Sequence, residues 1–555
     1  MAVPIYVRRV HALVVAGALS GCGSAAPDPA PLQADPAVGD TLAVAAAVAS
    51  RSTTCADLIQ VDFGPDVELT AAEVAPAAGP GTVRSNPYSP PFPVAFPAYC
   101  RVTGTINERV GAGGHTYGLG FELRMPVPAE WNGRFLFQGG GGLNGTINPP
   151  LGDVAAGGEP ALARGFAVVA TDGGHEGNVF DATFMNDQKA SLDFAQDAVP
   201  TVARIAKSIV AEHYGRPVDH AYMTGCSTGG REGMLSVQRY PYLFDGVVVG
   251  APAMRTGYSN LALLHAAVEF NEAAPLDGQG NPLPGQLYSD ADRDLIIDGL
   301  LDQCDGLDGL EDGVIENVAA CDFQPVRLRC QGEKTDACLG AEQVEALIEA
   351  FQPPVDAAGQ PLYVPFPYDT GIAFRGSGIP GFLPDATSRG PMTPADATSA
   401  DYDAEARRIR MDESQRLVDT HTWTTLNTFI QRGGKVIFYH GVSDPWFSAW
   451  DTLDYWKRAR ERNSPDTWDD ASRFYFIPGM GHCGGGANTF DRFDLLSAVV
   501  DWVERGEAPE AVPSFRSQPT AAERPRCPWP TYPHYTGGDE AAASSFECRA
   551  GPAGR

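Results

Sequence analysis

The chain of 555 residues is 43% hydrophobic and 20% charged, the balance of a large folded protein with length for roughly two to four domain-sized units. Its formal net charge of −29 argues against a nucleic-acid partner, because a phosphate backbone rewards clustered lysine and arginine and no basic stripe offsets the acidic excess.

At the start of the chain, Arg8 and Arg9 are followed by an apolar run through Leu19 and by small residues before Cys22, the pattern of a secretion signal over 1–22. Leu19-Ser-Gly-Cys22 resembles a bacterial lipobox, which would make Cys22 the lipidated first residue of the mature protein; ordinary secretion with an incidental cysteine is the other reading. No second apolar run reaches membrane-spanning length, so contact with a membrane is expected only through that anchor. Residues 23–54 are rich in Ala, Pro and Asp and read as a flexible linker. Eleven cysteines occur in all, and setting Cys22 aside leaves ten, an even set compatible with five disulfides in an oxidising compartment. Spacing alone leaves their connectivity open.

The folded part is expected to begin near Cys55. Short apolar, β-prone runs recur at 135–137, 166–170, 220–224, 246–250, 435–440 and 473–477, several of them continuous, as suits a parallel sheet buried on both faces. Helical spacing over 195–213, 231–240 and 495–504 supplies crossovers and covering layers. These features predict an α/β fold with a catalytic domain in two pieces, 55–254 and 431–555. The interval 255–430, rich in Pro, Gly and Asp and holding four cysteines, is too long for one connection and is predicted to be an inserted lid domain.

The first candidate element of a site follows the run at 135–137. Gly139-Gly140-Gly141-Gly142 would expose backbone N–H groups, as a donor to an oxyanion must, and it lacks the Gly-Lys-Ser/Thr ending of a phosphate loop. Next, Gly225-Cys226-Ser227-Thr228-Gly229 matches Gly-x-Ser-x-Gly between a predicted strand and a predicted helix, the context of a nucleophile elbow. Ser227 is the candidate nucleophile, and the N–H of Thr228 is a candidate oxyanion donor with one of Gly140, Gly141 or Gly142. In the interval, Cys304-Asp305-Gly-Leu-Asp308-Gly-Leu310-Glu-Asp312-Gly-Val314 concentrates carboxylates and glycines, which suits a hard cation such as calcium or a solvated acidic turn; the spacing is not that of an EF-hand. Arg375 is considered as a contact for a carboxylate on a substrate.

A serine hydroxyl needs a base and the base needs an orienting acid, supplied in α/β-hydrolases in the order Ser, Asp or Glu, His from loops after strands. Asp444 follows the run at 435–440 and His482 follows the run at 473–477, so they are the expected acid and base. Phe447 is read either as packing for the acid loop or as an aromatic wall for a substrate. His175, His265, His421 and His440 have no metal-ligand spacing and are read as loop or core residues.

Cys226-Ser227 paired with His482-Cys483 resembles the tannase and feruloyl esterase family over roughly Cys55 to Cys548. That resemblance implies an α/β-hydrolase fold with a lid and a disulfide Cys226–Cys483, and also Cys55–Cys100, Cys304–Cys321, Cys330–Cys338 and Cys527–Cys548. It also implies a structural calcium ion held by the side chains of Asp305, Asp308 and Asp312 and the backbone oxygens of Leu310 and Val314. The expected activity is that of an exported serine esterase acting on aromatic esters of the hydroxycinnamate or gallate kind, with no organic cofactor. A terephthalate monoester hydrolase is the alternative within the same chemistry, and an envelope-tethered binding lipoprotein without turnover is the alternative outside it.

Overall fold

The computed structural model describes residues 52–552 other than Tyr88, 376–380, 385–396 and Ala487. The predicted signal, Cys22 and nearly all of the linker therefore lie outside the described residues.

Nine strands make the main sheet: β1 (Val67–Ala75), β2 (Tyr99–Val110), β3 (Thr116–Pro126), β4 (Arg134–Gln138), β5 (Ala167–Thr171), β6 (His220–Cys226), β7 (Gly246–Gly250), β8 (Lys435–Gly441) and β9 (Ser472–Ile477). Their order is β1-β2-β3-β5-β4-β6-β7-β8-β9. From β5 to β9 every pairing is parallel, and β1, β2, β3 and β5 pair antiparallel. The continuous apolar runs found in the sequence are the parallel strands, and they are buried on both faces. Phe135, Phe137, Val247, Val249, Val436 and Phe438 point to one core and Leu136, Val248, Ile437 and Tyr439 to the other, the period-two alternation of a strand. Each such side chain contributes about 1.5–3 kcal/mol by leaving water.

The first core is closed by α1 (Ala198–Tyr214) and the second by a later helix, Leu495–Arg505, whose Leu496, Val499 and Trp502 lie in it. Helix α2 (Thr228–Arg239) follows β6 directly and adds Met234 and Val237 to the first core. This is the expected α/β-hydrolase architecture. Strands β1 to β3 were not predicted: β2 alternates half-exposed and buried positions, because only one face of this antiparallel flank is covered.

The connection from β7 to β8 contains α3 (Thr256–Ala273), α4 (Asp290–Cys304) and α5 (Ala341–Glu349), and no strand among the described residues. It has a core of its own around Ala266, Phe270, Ile296, Leu347 and Phe351. Two disulfides, Cys304–Cys321 and Cys330–Cys338, lie within it. Three more, Cys55–Cys100, Cys226–Cys483 and Cys527–Cys548, complete the pairing that the family resemblance implied. Among the described residues no helix is long and apolar enough to cross a membrane.

Candidate active site

Ser227 stands between the end of β6 and the start of α2 with φ 63° and ψ −123°, a conformation that costs a non-glycine residue about 1–3 kcal/mol and persists only where its surroundings enforce it. The two motif glycines make the turn possible by close approach. A Cβ on Gly225 would lie 2.4 Å from the carbonyl of Gly229, and one on Gly229 would lie 2.8 Å from the carbonyl oxygen of Gly140. The glycine run is thereby laid against the elbow, and hydrogen bonds hold it there. Gly229 N–H donates to Gly140 O at 3.0 Å, and the Thr228 hydroxyl donates to Gly142 O. Gly140 N–H donates to Glu232 Oε2 at 2.9 Å, and Asn144 Nδ2 donates to Glu232 Oε1 at 3.1 Å. Glu232, one turn into α2, is buried, and burial raises its carboxyl against the pull of Arg231 and these donors.

Asp444 and His482 come together from the loops after β8 and β9. His482 Nδ1 lies 2.6 Å from Asp444 Oδ2. The other carboxylate oxygen, Oδ1, accepts the backbone N–H groups of Trp446 at 2.8 Å and Phe447 at 3.1 Å. His440, the last residue but one of β8, adds a further donor. Its Nε2 is 3.2 Å from Asp444 Oδ2 and 3.0 Å from Phe447 O, and its Nδ1 is 2.8 Å from the Thr452 hydroxyl. Two acceptors at Nε2 require the proton there. Burial alone would raise the Asp444 carboxyl, but His482 and His440 outweigh it and hold the group well below the usual carboxylate range.

The disulfide Cys226–Cys483 joins the residue before Ser227 to the residue after His482, with Cα atoms 5.9 Å apart. It seats the histidine loop beside the elbow. His482 Nε2 is buried and has no hydrogen-bond partner among the described residues, Ser227 included.

Ser227 opens into a cavity of about 190 Å³ whose wall is mainly apolar, with Leu143, Phe180, Met185, Leu263, Trp446 and Phe447 among its lining. Phe447 lines the cavity and also packs its ring 5.3 Å from that of His482. Trp446, not singled out from sequence although it is two residues from Asp444, lies 4.9 Å from the same ring. The β7–β8 insertion supplies Thr256, Asn260, Leu263, Gln415 and Val418 to this lining. Arg375 is not part of that wall; it is paired with Asp290 at 2.5 Å. Among the described lining residues only Arg231 is charged, and its guanidinium donates to the carbonyls of Ala195 and Phe194, each at 3.1 Å.

The acidic loop is built differently. Asp305 Oδ2 accepts Gly313 N–H at 2.9 Å while its Oδ1 is buried without a partner among the described residues. Asp308 accepts from Leu310 N at 3.1 Å and Glu316 N at 2.8 Å, and burial, with Glu316 and Asp312 nearby, pushes its carboxyl up to about 8. Asp312 is compensated by Arg524 at 2.5 Å. Among the described residues Asp305 and Asp308 are buried carboxylates with no basic partner, which fits a cation, although no group of three acidic, histidine or cysteine side chains among them is gathered at ligand distance.

The family model for tannase and feruloyl esterase matches residues 100–378 and 385–549. A mono(2-hydroxyethyl) terephthalate hydrolase from Piscinibacter sakaiensis is 38% identical over 82% of this chain and 86% of its own. A probable feruloyl esterase B-1 from Aspergillus terreus is 31% identical over 69% of this chain and 74% of its own. The crystal structure of feruloyl esterase B from Aspergillus oryzae superposes with a TM-score of 0.69 at 26% identity, covering 88% of this chain and 98% of that one. These similarities set aside a binding protein without turnover. The chain belongs to the tannase and feruloyl esterase family and is a carboxylic ester hydrolase.

Proposed function

We propose that the chain hydrolyses aromatic esters through Ser227, His482 and Asp444. The observation that carries this reading is the 2.6 Å contact between His482 and Asp444, seated by a disulfide beside a strained serine at the mouth of an aromatic cavity. His482 Nε2 takes the proton of the Ser227 hydroxyl as the oxygen attacks the ester carbonyl, and Asp444 fixes the tautomer and balances the imidazolium. The N–H of Thr228 and one glycine N–H hold the oxyanion. Because the N–H of Gly140 is committed to Glu232, that glycine is Gly141 or Gly142. His482 then returns the proton to the leaving alcohol, and water releases the acyl group by the reverse sequence.

Phe180, Trp446 and Phe447 suit a flat acyl ring, and the insertion's share of the wall makes it the lid expected to set acyl preference. The absence of an unengaged cation among the described lining residues favours a neutral acyl group, hydroxycinnamoyl or galloyl. The 38% identical relative keeps a terephthalate monoester as the second reading. Methyl ferulate, methyl gallate and mono(2-hydroxyethyl) terephthalate, assayed side by side with wild type and Ser227→Ala, decide between them. Turnover of any of the three that survives in Ser227→Ala refutes the mechanism.

A calcium ion held by Asp305, Asp308, Asp312 and the backbone oxygens of Leu310 and Val314 would neutralise buried carboxylates and brace the loop, without touching the ester. Five disulfides support export, where thiols oxidise. Mass analysis of the mature N-terminus tests whether Cys22 carries lipid.

A further inference from the structure

Asp369 belongs to the insertion, 75 residues before Asp444 in the chain, and is 1% exposed. One of its oxygens, Oδ2, accepts the Ser443 hydroxyl at 2.6 Å and the N–H of Gly479 at 2.6 Å. Ser443 immediately precedes Asp444, and Gly479 lies three residues before His482. A single carboxylate oxygen from the insertion therefore joins the acid loop to the histidine loop.

The neighbouring insertion backbone reinforces the joint. Gly371 N–H donates to Ser443 Oγ at 2.9 Å, and a Cβ on Gly371 would lie 2.6 Å from that oxygen and 2.7 Å from Gly479 O. Further along, Ser448 Oγ donates to Pro365 O at 2.6 Å, so the insertion grips the acid loop on both sides of Asp444. The two loops also meet directly, through Ser443 N–H to Met480 O at 3.0 Å. That bond sets their approach; the carboxylate adds two charge-assisted bonds, which are shorter and stronger than neutral ones.

Packing alone does not account for a carboxylate here. Among the described residues, Asp369 Oδ1 and the adjacent Thr370 hydroxyl oxygen are both buried without a partner, and no basic side chain is bonded to the carboxylate. A buried charge of this kind costs stability that an apolar residue would not.

We propose that Asp369 is a positioning residue for the reaction, holding Asp444 and His482 in register by binding both of their loops through one oxygen. The inference rests on the triad reading above. It makes the insertion part of the catalytic scaffold as well as a wall of the cavity. Loss of the joint lets the acid and base loops drift, and a displacement near 1 Å can cost on the order of a hundredfold in rate.

The test uses the full chain with p-nitrophenyl acetate as the ester, at a temperature well below melting. Asp369→Ala should lower kcat about 10–100-fold with KM within about twofold. Asp369→Asn should stay within about threefold of wild type, because its amide oxygen can accept both bonds. Wild-type kcat in Asp369→Ala, or equal loss in the Ala and Asn variants, overturns the proposal. If Asp369→Ala does not fold, Ser443→Ala removes one arm and should lower kcat about 5–10-fold with KM unchanged; wild-type kcat there overturns the proposal too. Fluorophosphonate labelling separates the two levels of argument. If Ser227 labels and Ser227→Ala is inactive while Asp369→Ala turns over normally, only this inference fails; if Ser227→Ala remains active, the triad reading itself fails.

Discussion

Asp444 and Asp308 are both buried loop carboxylates, yet their surroundings push them in opposite directions. Asp444 receives two backbone N–H groups and two histidine nitrogens and is held well below the usual range. Asp308 receives two backbone N–H groups, sits near two further carboxylates and is pushed up to about 8. The neighbours decide the difference, since both are buried: histidines favour the charged form at Asp444, whereas carboxylates disfavour it at Asp308. One loop balances its charge with protein groups alone, whereas the other concentrates negative charge that an added cation would balance.

The largest expected effect comes from disturbing the balanced loop. Asp444→Asn should reduce kcat on the order of 10⁴-fold by disfavouring the productive tautomer of His482, with melting changed far less. Steady-state kinetics beside a thermal melt check this, and a loss below tenfold would assign the acid elsewhere.

Next is the covalent support of the same region. Replacing Cys226 and Cys483 together should lower kcat by about a hundredfold below the melting transition, because the bridge fixes the Ser–His approach. Replacing Cys527 and Cys548, which tie the segment just before the C-terminal strand Thr531–Tyr535 to the middle of its partner Phe546–Ala550, should leave kcat within about threefold. Both pairs should cost about 2–5 kcal/mol of stability, so only kinetics separates them.

The acidic loop should answer to metal and not to chemistry. Adding calcium at a hundred times its dissociation constant should stabilise the fold by about 2.7 kcal/mol. Chelation should reverse that gain and leave kcat at low temperature unchanged. Calorimetry with and without chelator tests it; identical melts would mean a solvated acidic turn.

Asp369 lies between the two cases and gives a pH test. Burial, with Glu316 contributing, pushes its carboxyl up to about 6, against about 3.9 in an unfolded chain. The folded state therefore binds this proton more tightly, and the stability it contributes is fully present below about pH 4 and is lost as pH rises through 6. Asp369→Asn cannot titrate, so its stability relative to wild type should rise between pH 4 and 7, by at most about 3 kcal/mol. Parallel denaturant titrations at the two pH values measure it.

The smallest effect is expected at Arg375. Its pair with Asp290 is exposed, with side chains at 42% and 82%, and outside the cavity wall. Arg375→Ala should change kcat/KM within about twofold and stability by less than about 1 kcal/mol. A selective loss on the terephthalate monoester would return Arg375 to the substrate site.

What the sequence determined by itself is what depends on neighbours in the chain. Gly225, Ser227 and Gly229 specify a turn that few other residues can make, and the continuous runs ending at His440 and Ile477 place Asp444 and His482 at strand ends. The cysteine pairing was reached through family likeness, since spacing left it open. Tertiary structure decided everything carried by contacts distant in sequence. Glu232 meets Gly140 across 92 residues and Asp369 meets Gly479 across 110, so nothing local marks either acid. His440 looked like one more core histidine until folding put Asp444 against its Nε2. Strands β1 to β3 escaped notice because their alternating pattern acquires meaning only when the sheet covers one face. A hydrogen bond between distant residues depends on the packed fold, and no short window of sequence contains that information.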